Sequence, residues 1–369
     1  MKAAKLLPYL VGGLLTSLTL TAVVAANADD FDPHPLPSDL VLPLPNGARM
    51  VFRPVFLGIG DDPLATKTFE MGDRTGANYK EILRPAKLGG HFVASNAGRK
   101  DWLLYFGKYE VTRSQYEAVI GVPAVKVAGN PQPRLPQTNL TRREIEDFVD
   151  ALNTWLAKNA PDNLPKNSGS PGWLRLPTEE EWEFAARGGI AVNAERFAAT
   201  TPYLGDLAKY EWFSGPRSSH GKLKEVGLLE PNPLGIFDLL GNAAEMTNTL
   251  YQLDGRTGGY TIRGGSFRTA PDDLRASQRT EQPKYNRDRQ PARDETIGFR
   301  LVLASQVITD ENRAQLAASA QSKPTQRAGG EEKESNQPFD AHGARTVMEA
   351  KVLATEEAKP KEATEAERK

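Results

Sequence analysis

The chain has 369 residues, with 46 Lys and Arg against 47 Asp and Glu, so its formal charge of −1 builds no global field for gripping a polyanion and nucleic acid is set aside as a partner. Cysteine is absent, which removes disulfides, thiolate nucleophiles, iron–sulfur clusters and cysteine-ligated zinc together. Four scattered histidines, His34, His91, His220 and His342, make a multi-histidine metal centre improbable by count.

In chain order, residues 1–28 read as an export signal. Lys2 and Lys5 give a positive start, Leu6 to Val24 a mostly apolar run, and Ala26-Asn27-Ala28 a small-x-small cleavage site. The expectation is cleavage after Ala28 and a periplasmic product, peripheral at most to a membrane. Residues 29–47, "DDFDPHPLPSDLVLPLPNG", are proline-rich and predict an extended segment. The folded body follows over 48–307 and holds all five tryptophans. Beyond 308 the composition turns to Ala, Glu, Lys, Gln and Ser, which cannot bury enough apolar surface to offset ordering, so 308–369 is expected to be a largely disordered charged tail.

Three helices are predicted from their starts. Thr112 with Gln115, Thr141 with Glu144 and Thr178 with Glu181 each form the Ser/Thr-x-x-Glu/Gln capping pattern ahead of an apolar run. The first stops at Gly121 and the third at Gly188-Gly189. The middle one lines Ile145, Phe148, Val149, Leu152, Trp155 and Leu156 along one face. Short strands are expected at 49–58, 102–106, 260–263 and 298–303. Long irregular stretches at 121–137, 159–174 and 188–230 complete an α+β fold class, loop-rich with few helices.

Three constellations could carry chemistry. In "LGIFDLLGNAAEM", residues 234–246, Asp238, Gly241, Ala243 and Glu245 could offer two carboxylates and two backbone carbonyls, the all-oxygen set a calcium ion accepts; a solvated corner is the plainer reading of the same spacing. In "IRGGSFR", residues 262–268, a double glycine precedes Ser266, as a bulge or as backbone donors beside a hydroxyl without a nearby base. Between Arg256 and Arg300 nine arginines and Lys284 face six acids, and pinning of irregular backbone is favoured over a basic groove.

Seven motifs then coincide in order: "FEMG" (69–72), "FGKYEVTRSQYEAV" (106–119), "WLRLPTEEEWEFAARGG" (173–189), "NPLGIFDLLGNAAEM" (232–246), "RGGSF" (263–267), "LRASQR" (274–279) and "GFRLV" (298–302). The chain resembles the formylglycine-generating enzyme family, the sulfatase-modifying factor domain. The resemblance implies a C-type-lectin-like fold of low regular content, and a structural calcium at the Asp238, Gly241, Ala243 and Glu245 positions. The family's second calcium loop maps onto "AKYEWFSGPRSSHG", which lacks the downstream acid, and no second ion is expected. The family's two copper-binding cysteines map onto Thr269 and Leu274, so copper binding and thiol exchange are not expected, and Ser266 alone persists of that site.

The resemblance leaves three classes of function. The first is a non-catalytic periplasmic binding or regulatory protein, like the cysteine-less members that act upstream of a membrane threonine kinase at type VI secretion loci; "LPLPNGARMVFRPVFLGIG" and "TFEMGDRTGANYKE" are similar to that subgroup. The second is a cysteine-independent periplasmic enzyme, like the family's siderophore-maturation factors, which would draw on Glu245, Asp272, Asp273 and Ser266. The third, lectin-like binding through the calcium site, ranks last. The first is favoured, and the expected partner is a protein such as the periplasmic part of a membrane threonine kinase.

Overall fold

The computed structural model describes residues 31–76, 78–121 and 133–306. The export segment 1–28 and the charged tail 308–369 lie outside the described residues. Among those described, no helix is long and apolar enough to cross a membrane. The elements in order are β1 (Leu40–Pro43), β2 (Arg49–Phe56), β3 (Lys67–Met71), β4 (Arg84–Leu88), β5 (Phe92–Asn96), β6 (Arg99–Gly107), α1 (Arg113–Ile120), α2 (Arg142–Asn159), β7 (Lys166–Asn167), β8 (Ser170–Pro171), β9 (Trp173–Arg175), α3 (Glu179–Ala186), α4 (Ala194–Ala198), β10 (Ala244–Leu253), β11 (Arg256–Arg263), β12 (Arg279–Gln282), β13 (Ile297–Gly298) and β14 (Val302–Ala304).

The three expected capping boxes are all formed, with Thr112, Thr141 and Thr178 each accepting from the backbone three residues on while Gln115, Glu144 and Glu181 reach back. Gly121 stops α1 at φ 72°, in the left-handed region where glycine carries no Cβ penalty. The apolar stripe of α2 buries Ile145, Phe148, Leu152 and Leu156.

The largest sheet has six strands in the order β1-β2-β6-β14-β9, with β5 also paired to β6. Because side chains alternate along a strand, β6 feeds two cores. Leu103 and Tyr105 pack with Phe148, Leu152 and Phe299 on the α2 side. Trp102, Leu104 and Phe106 pack with Trp182, Phe184 and Leu240 on the α3 side. The sheet is thus the middle layer, with α1 and α2 on one face and α3 with its loops on the other. A second sheet, β12-β11-β10-β13, carries the antiparallel hairpin of β10 and β11, and β13 runs parallel to β10.

Two expectations need adjusting. The strand expected at 298–303 is two strands: β13 joins β10 in the second sheet, β14 lies between β6 and β9 in the first, and Phe299 to Leu301 cross between them. Sheet membership is decided by distant partners, so a continuous apolar run could not show the switch. The proline-rich segment, for its part, is built into the domain. It supplies edge strand β1, paired to β2 from Leu40↔Phe52 to Pro43↔Arg49, and it closes an ionic clasp. The Lys108 ammonium, fully buried, donates to Asp32 Oδ1 at 2.9 Å and Asp39 Oδ2 at 2.7 Å, and to the His34 carbonyl. Asp39 Oδ1 also takes Arg53 at 2.6 Å, and Tyr109 Oη donates to Asp32 at 2.7 Å.

A buried ammonium left without its carboxylates costs about 3–5 kcal/mol. Asp32→Ala with Asp39→Ala, which removes both carboxylates from Lys108, should therefore lower unfolding stability by about that amount, and chemical denaturation followed by tryptophan fluorescence checks it. A loss below about 1 kcal/mol, the range for exposed pairs, would show that the clasp is not a strut.

Candidate functional site

The conspicuous turn of the sequence leads directly into β10. Asn242 takes φ 53° and Asp238 φ 57°, and a Cβ at Gly241 would stand 2.4 Å from the Trp212 carbonyl oxygen, so only glycine passes there. Glu245 is not in the turn. It is the second residue of β10, in register with Arg263 and Gly298. That pairing points its carboxylate at the guanidinium of Arg300, in the crossover between β13 and β14.

Arg300 is fully buried and uses its whole fork. Nε donates to Glu245 at 2.7 and 2.9 Å, and the second arm closes on Glu245 Oε1 at 2.6 Å. Nη1 reaches the Gly107 carbonyl at 2.9 Å, and Nη2 the Phe237 carbonyl at 2.9 Å. Trp182 Nε1, from α3, completes Glu245 at 2.8 Å. Burial pulls the guanidinium's pKa down, but Glu245, with Glu110 and Asp238, outweighs it and the group stays charged.

Asn242 is the second hub. Its amide donates to Glu110 Oε2 at 2.9 Å and to the Lys224 carbonyl at 3.1 Å, and its side-chain oxygen accepts from the Lys224 backbone at 2.9 Å. Glu110 also takes the Ala243 N–H at 2.8 Å. Burial first, and then Asp238, pushes Glu110 well above the ordinary carboxylate range. Burial likewise raises Asp238 to about 6 and, with Asp238 as the next cause, Glu211 to about 8. Tyr203 Oη donates to Glu211 Oε1; among the described residues Glu211 Oε2 and Asp238 Oδ1 have no hydrogen-bond partner.

This arrangement allows a fit test of the calcium set. Asp238 does present one unpartnered buried oxygen, while its other oxygen accepts the Gly227 N–H at 2.8 Å. Both Glu245 oxygens, by contrast, are taken by Arg300 and Trp182, so the two-carboxylate cage is not formed. Among the described residues no group of three or more His, Cys, Asp or Glu is placed to hold a metal ion. The donor set as arranged does not fit the ion.

The second half of the site is the double-glycine element. Gly264 and Gly265 lie at φ 91° and 73°. A Cβ on Gly264 would meet the Leu239 carbonyl at 2.4 Å, and one on Gly265 would meet Leu274 and Gln278 at 2.7 Å. Thr269 and Leu274, the two positions matched to the family's cysteines, are spent on structure. Thr269 Oγ1 accepts the Ser266 N–H at 2.8 Å, its own N–H returns to the Ser266 carbonyl at 2.8 Å, and Leu274 is buried. Ser266 Oγ accepts from the Arg268 N–H at 3.2 Å, and no general base is among its hydrogen-bond partners. A depression of about 400 Å³ adjoins, lined by Asp73, Thr75, Asn78, Thr200, Asp272, Asp273 and Arg275. Arg275 is fixed in its wall by Glu81 at 2.7 and 2.5 Å.

Of the nine arginines in the arginine-rich stretch, Arg263, Arg279 and Arg300 are buried and Arg275 is half-buried, while Arg256, Arg268, Arg287, Arg289 and Arg293 are exposed. Arg263 grips Glu179 at 3.1 Å and Glu183 at 2.5 Å, and donates to the Ala276 and Ser277 carbonyls. Arg279 takes Glu179 at 2.6 Å, and Arg187, from outside the stretch, takes Glu183 at 2.7 Å. The buried acids of α3, together with Glu110 and Glu211, are what sequence reasoning missed. One signal was available: Arg300 is a lone charge within the apolar run "IGFRLVLA".

The raised acids set a pH dependence. Each binds its proton more tightly folded than unfolded, so its contribution is complete below the unfolded value, 4.5 for Glu211, and is lost as pH rises through the folded value near 8. Asp238 adds the same trend between 3.8 and about 6. The melting temperature should fall from pH 5 to pH 8.5, and Glu211→Gln should flatten the slope; differential scanning fluorimetry across pH reads both, and an unchanged slope in the variant contradicts the assignment. Because Arg300 holds the Glu245 carboxylate, millimolar calcium or EDTA should leave the melting temperature at neutral pH within about 1 °C, well inside the 2–4 °C that 1 kcal/mol moves in a domain this large. A calcium-dependent rise of several degrees would restore the oxygen cage.

Comparison with known proteins agrees with this geometry. Residues 69–305 match the sulfatase-modifying factor enzyme 1-like domain. A serine/threonine-protein kinase pkn1 of Chlamydia pneumoniae is 31% identical over 150 residues, 36% of this chain and 22% of the kinase. The inactive C-alpha-formylglycine-generating enzyme 2 of Mus musculus is 33% identical over 133 residues, 34% of this chain and 42% of that protein. The matches thus span less than half the length of either relative. Among solved structures, Treponema denticola variable protein 1 superposes with a TM-score of 0.51 at 21% identity, covering 73% of this chain and all of that one, a likeness of fold alone. With more than half of its residues matched, the chain belongs to the sulfatase-modifying factor enzyme 1-like domain family.

Proposed function

We propose that this chain is a non-catalytic binding and regulatory protein on a formylglycine-generating-enzyme scaffold, exported to the periplasm and acting on a membrane threonine kinase pathway that controls type VI secretion. The observation that carries the non-catalytic reading is the state of the two seats. Thr269 closes a hydrogen-bonded turn onto Ser266 and Leu274 packs beneath Gly265. With no cysteine anywhere in the chain, no thiolate is left to ligate copper or to exchange with a substrate thiol. A relative named as inactive, sharing 33% identity over 133 residues, supports the same view.

The kinase side rests on two supports. The sequence resembles the type VI secretion accessory protein TagR in its N-terminal motifs. A protein named as a serine/threonine kinase also shares a 150-residue stretch of this domain. The docking face in this reading is the acidic depression beside the spent seats, where Asp272 and Asp273 are exposed and Arg275 is already neutralised by Glu81. A basic side chain of the partner answers that charge, within an interface of about 1,200–2,000 Å² in total.

The test is binding of the purified protein to the periplasmic part of a membrane threonine kinase from the same organism, read by biolayer interferometry. Saturable binding, weakened at least tenfold by Asp272→Lys with Asp273→Lys, is expected. No binding to the kinase sinks the partner assignment. In parallel, incubation with copper and a cysteine-bearing sulfatase peptide should yield no aldehyde by mass spectrometry; formylglycine formation would overturn the non-catalytic reading.

A further inference from the structure

On the far side of the Lys108 clasp lies a cavity with no place in the reading above. It encloses about 370 Å³, within the span of small-molecule sites, and its walls include Phe31, Arg49, Tyr109, Ser114, Arg134 and Val226. Among the described residues its lining contains two arginines and neither aspartate nor glutamate. That is unusual in a chain of balanced charge whose buried arginines, Arg187, Arg263, Arg279 and Arg300, are each matched to a carboxylate.

The two cavity arginines lack that match. Arg134 donates through Nη2 to the Val226 carbonyl at 2.7 Å, which fixes the guanidinium in the wall, but among the described residues its buried Nε–H has no acceptor. A buried donor without a partner costs about 1–3 kcal/mol, and it is the kind of defect a ligand acceptor repairs. Arg49 lies over the Phe31 ring at 5.0 Å and has no ion pair among the described residues. Thr112 and Ser114 place their hydroxyls 3.1 Å apart at the N-terminal, positive end of α1. The backbone donors there are already used, since the Arg113 and Ser114 N–H groups are held by the Leu135 and Pro133 carbonyls. The site therefore offers side-chain donors, fixed cations and an apolar floor of Phe31, Val226 and the Tyr109 ring, whose hydroxyl is turned away to Asp32.

We propose that this cavity binds a small organic acid, its carboxylate against Arg134 and Arg49 and its apolar body over Phe31 and Val226. A planar carboxylate suits the guanidinium fork. The aromatic and aliphatic wall favours a body with a ring or a branched chain over a bare inorganic anion.

The experiment is isothermal titration calorimetry of the purified protein with 3-phenylpropanoate, 3-phenylpropanamide and inorganic phosphate. Saturable binding of 3-phenylpropanoate is expected, at least tenfold tighter than the amide or phosphate, and at least tenfold weaker in Arg134→Met. Absence of binding overturns the proposal. So does equal affinity for the amide, which removes the need for a carboxylate, or for phosphate, which removes the need for the apolar body. Should Arg134→Met melt below the assay temperature, Arg49→Gln decides, because the Arg49 side chain is exposed and holds no strut: unchanged affinity there also overturns the assignment.

Discussion

The structure depends most on one buried cation. A guanidinium shut away from water must find acceptors for all its N–H groups or cost several kcal/mol. Arg300 finds them on β6 at Gly107, on the turn at Phe237 and on β10 at Glu245. Trp182 then ties α3 to the same carboxylate. Those pieces belong to both sheets and to a helix across the core, and the arginine sits in the short crossover where the chain passes from one sheet to the other. The pairing of β13 with β10 and of β14 with β6 is thereby locked at a point where neither strand has more than three residues.

The same device recurs because the fold has few long elements. Backbone in loops cannot satisfy itself, and buried carbonyls without donors are costly. Arg263 serves the Ala276 and Ser277 carbonyls, Arg187 those of Gly72, Phe197 and Ala199, and Arg300 those of Gly107 and Phe237. Each arginine is then neutralised by a glutamate on α3 or β10. Charge balance is met around α3, where burial raises Glu179 but Arg263 and Arg279 bring it below the ordinary range. Around Arg300 it is not: Glu110, Asp238, Glu211 and Glu245 crowd one cation, and protons make up the difference. One network therefore favours neutral or higher pH while the other favours mildly acid conditions.

This division explains what the sequence made legible. Capping boxes are local, so Thr112, Thr141 and Thr178 announced their helices and the structure agrees to the residue. The pinning role of Arg263, Arg279 and Arg300 was also readable in kind, since buried irregular backbone needs donors for its carbonyls. The partner of each arginine was not: Arg263 and Glu179 are 84 residues apart, and Lys108 and Asp32 are 76. The spacing of Asp238 and Glu245 suggested a common cage because it treated both as turn residues. Glu245 is a strand residue, and strand register, set by Arg263 and Gly298, turns its carboxylate toward Arg300. Fold class followed from local signals and motif order; the site depends on long-range pairing, which no local pattern carries.

Thr269 and Leu274 take no part in the charged struts that hold the frame. Thr269 and Leu274 touch Ser266 and Gly265 at the tip of the loop that follows β11. Arg263, one residue before the double glycine, is what fastens that loop to α3, through Glu179 and Glu183. Thr269 completes a turn onto Ser266, and the Arg263 pairs with Glu179 and Glu183 are made without it. Because α3, β10 and the crossover are fixed without Thr269 or Leu274, the surface beside them, with Asp272 and Asp273 exposed, carries none of those struts. The residues that hold the fold constrain sequence at Glu179, Glu183, Glu245, Arg263 and Arg300, and place no such demand on the exposed loop beside them.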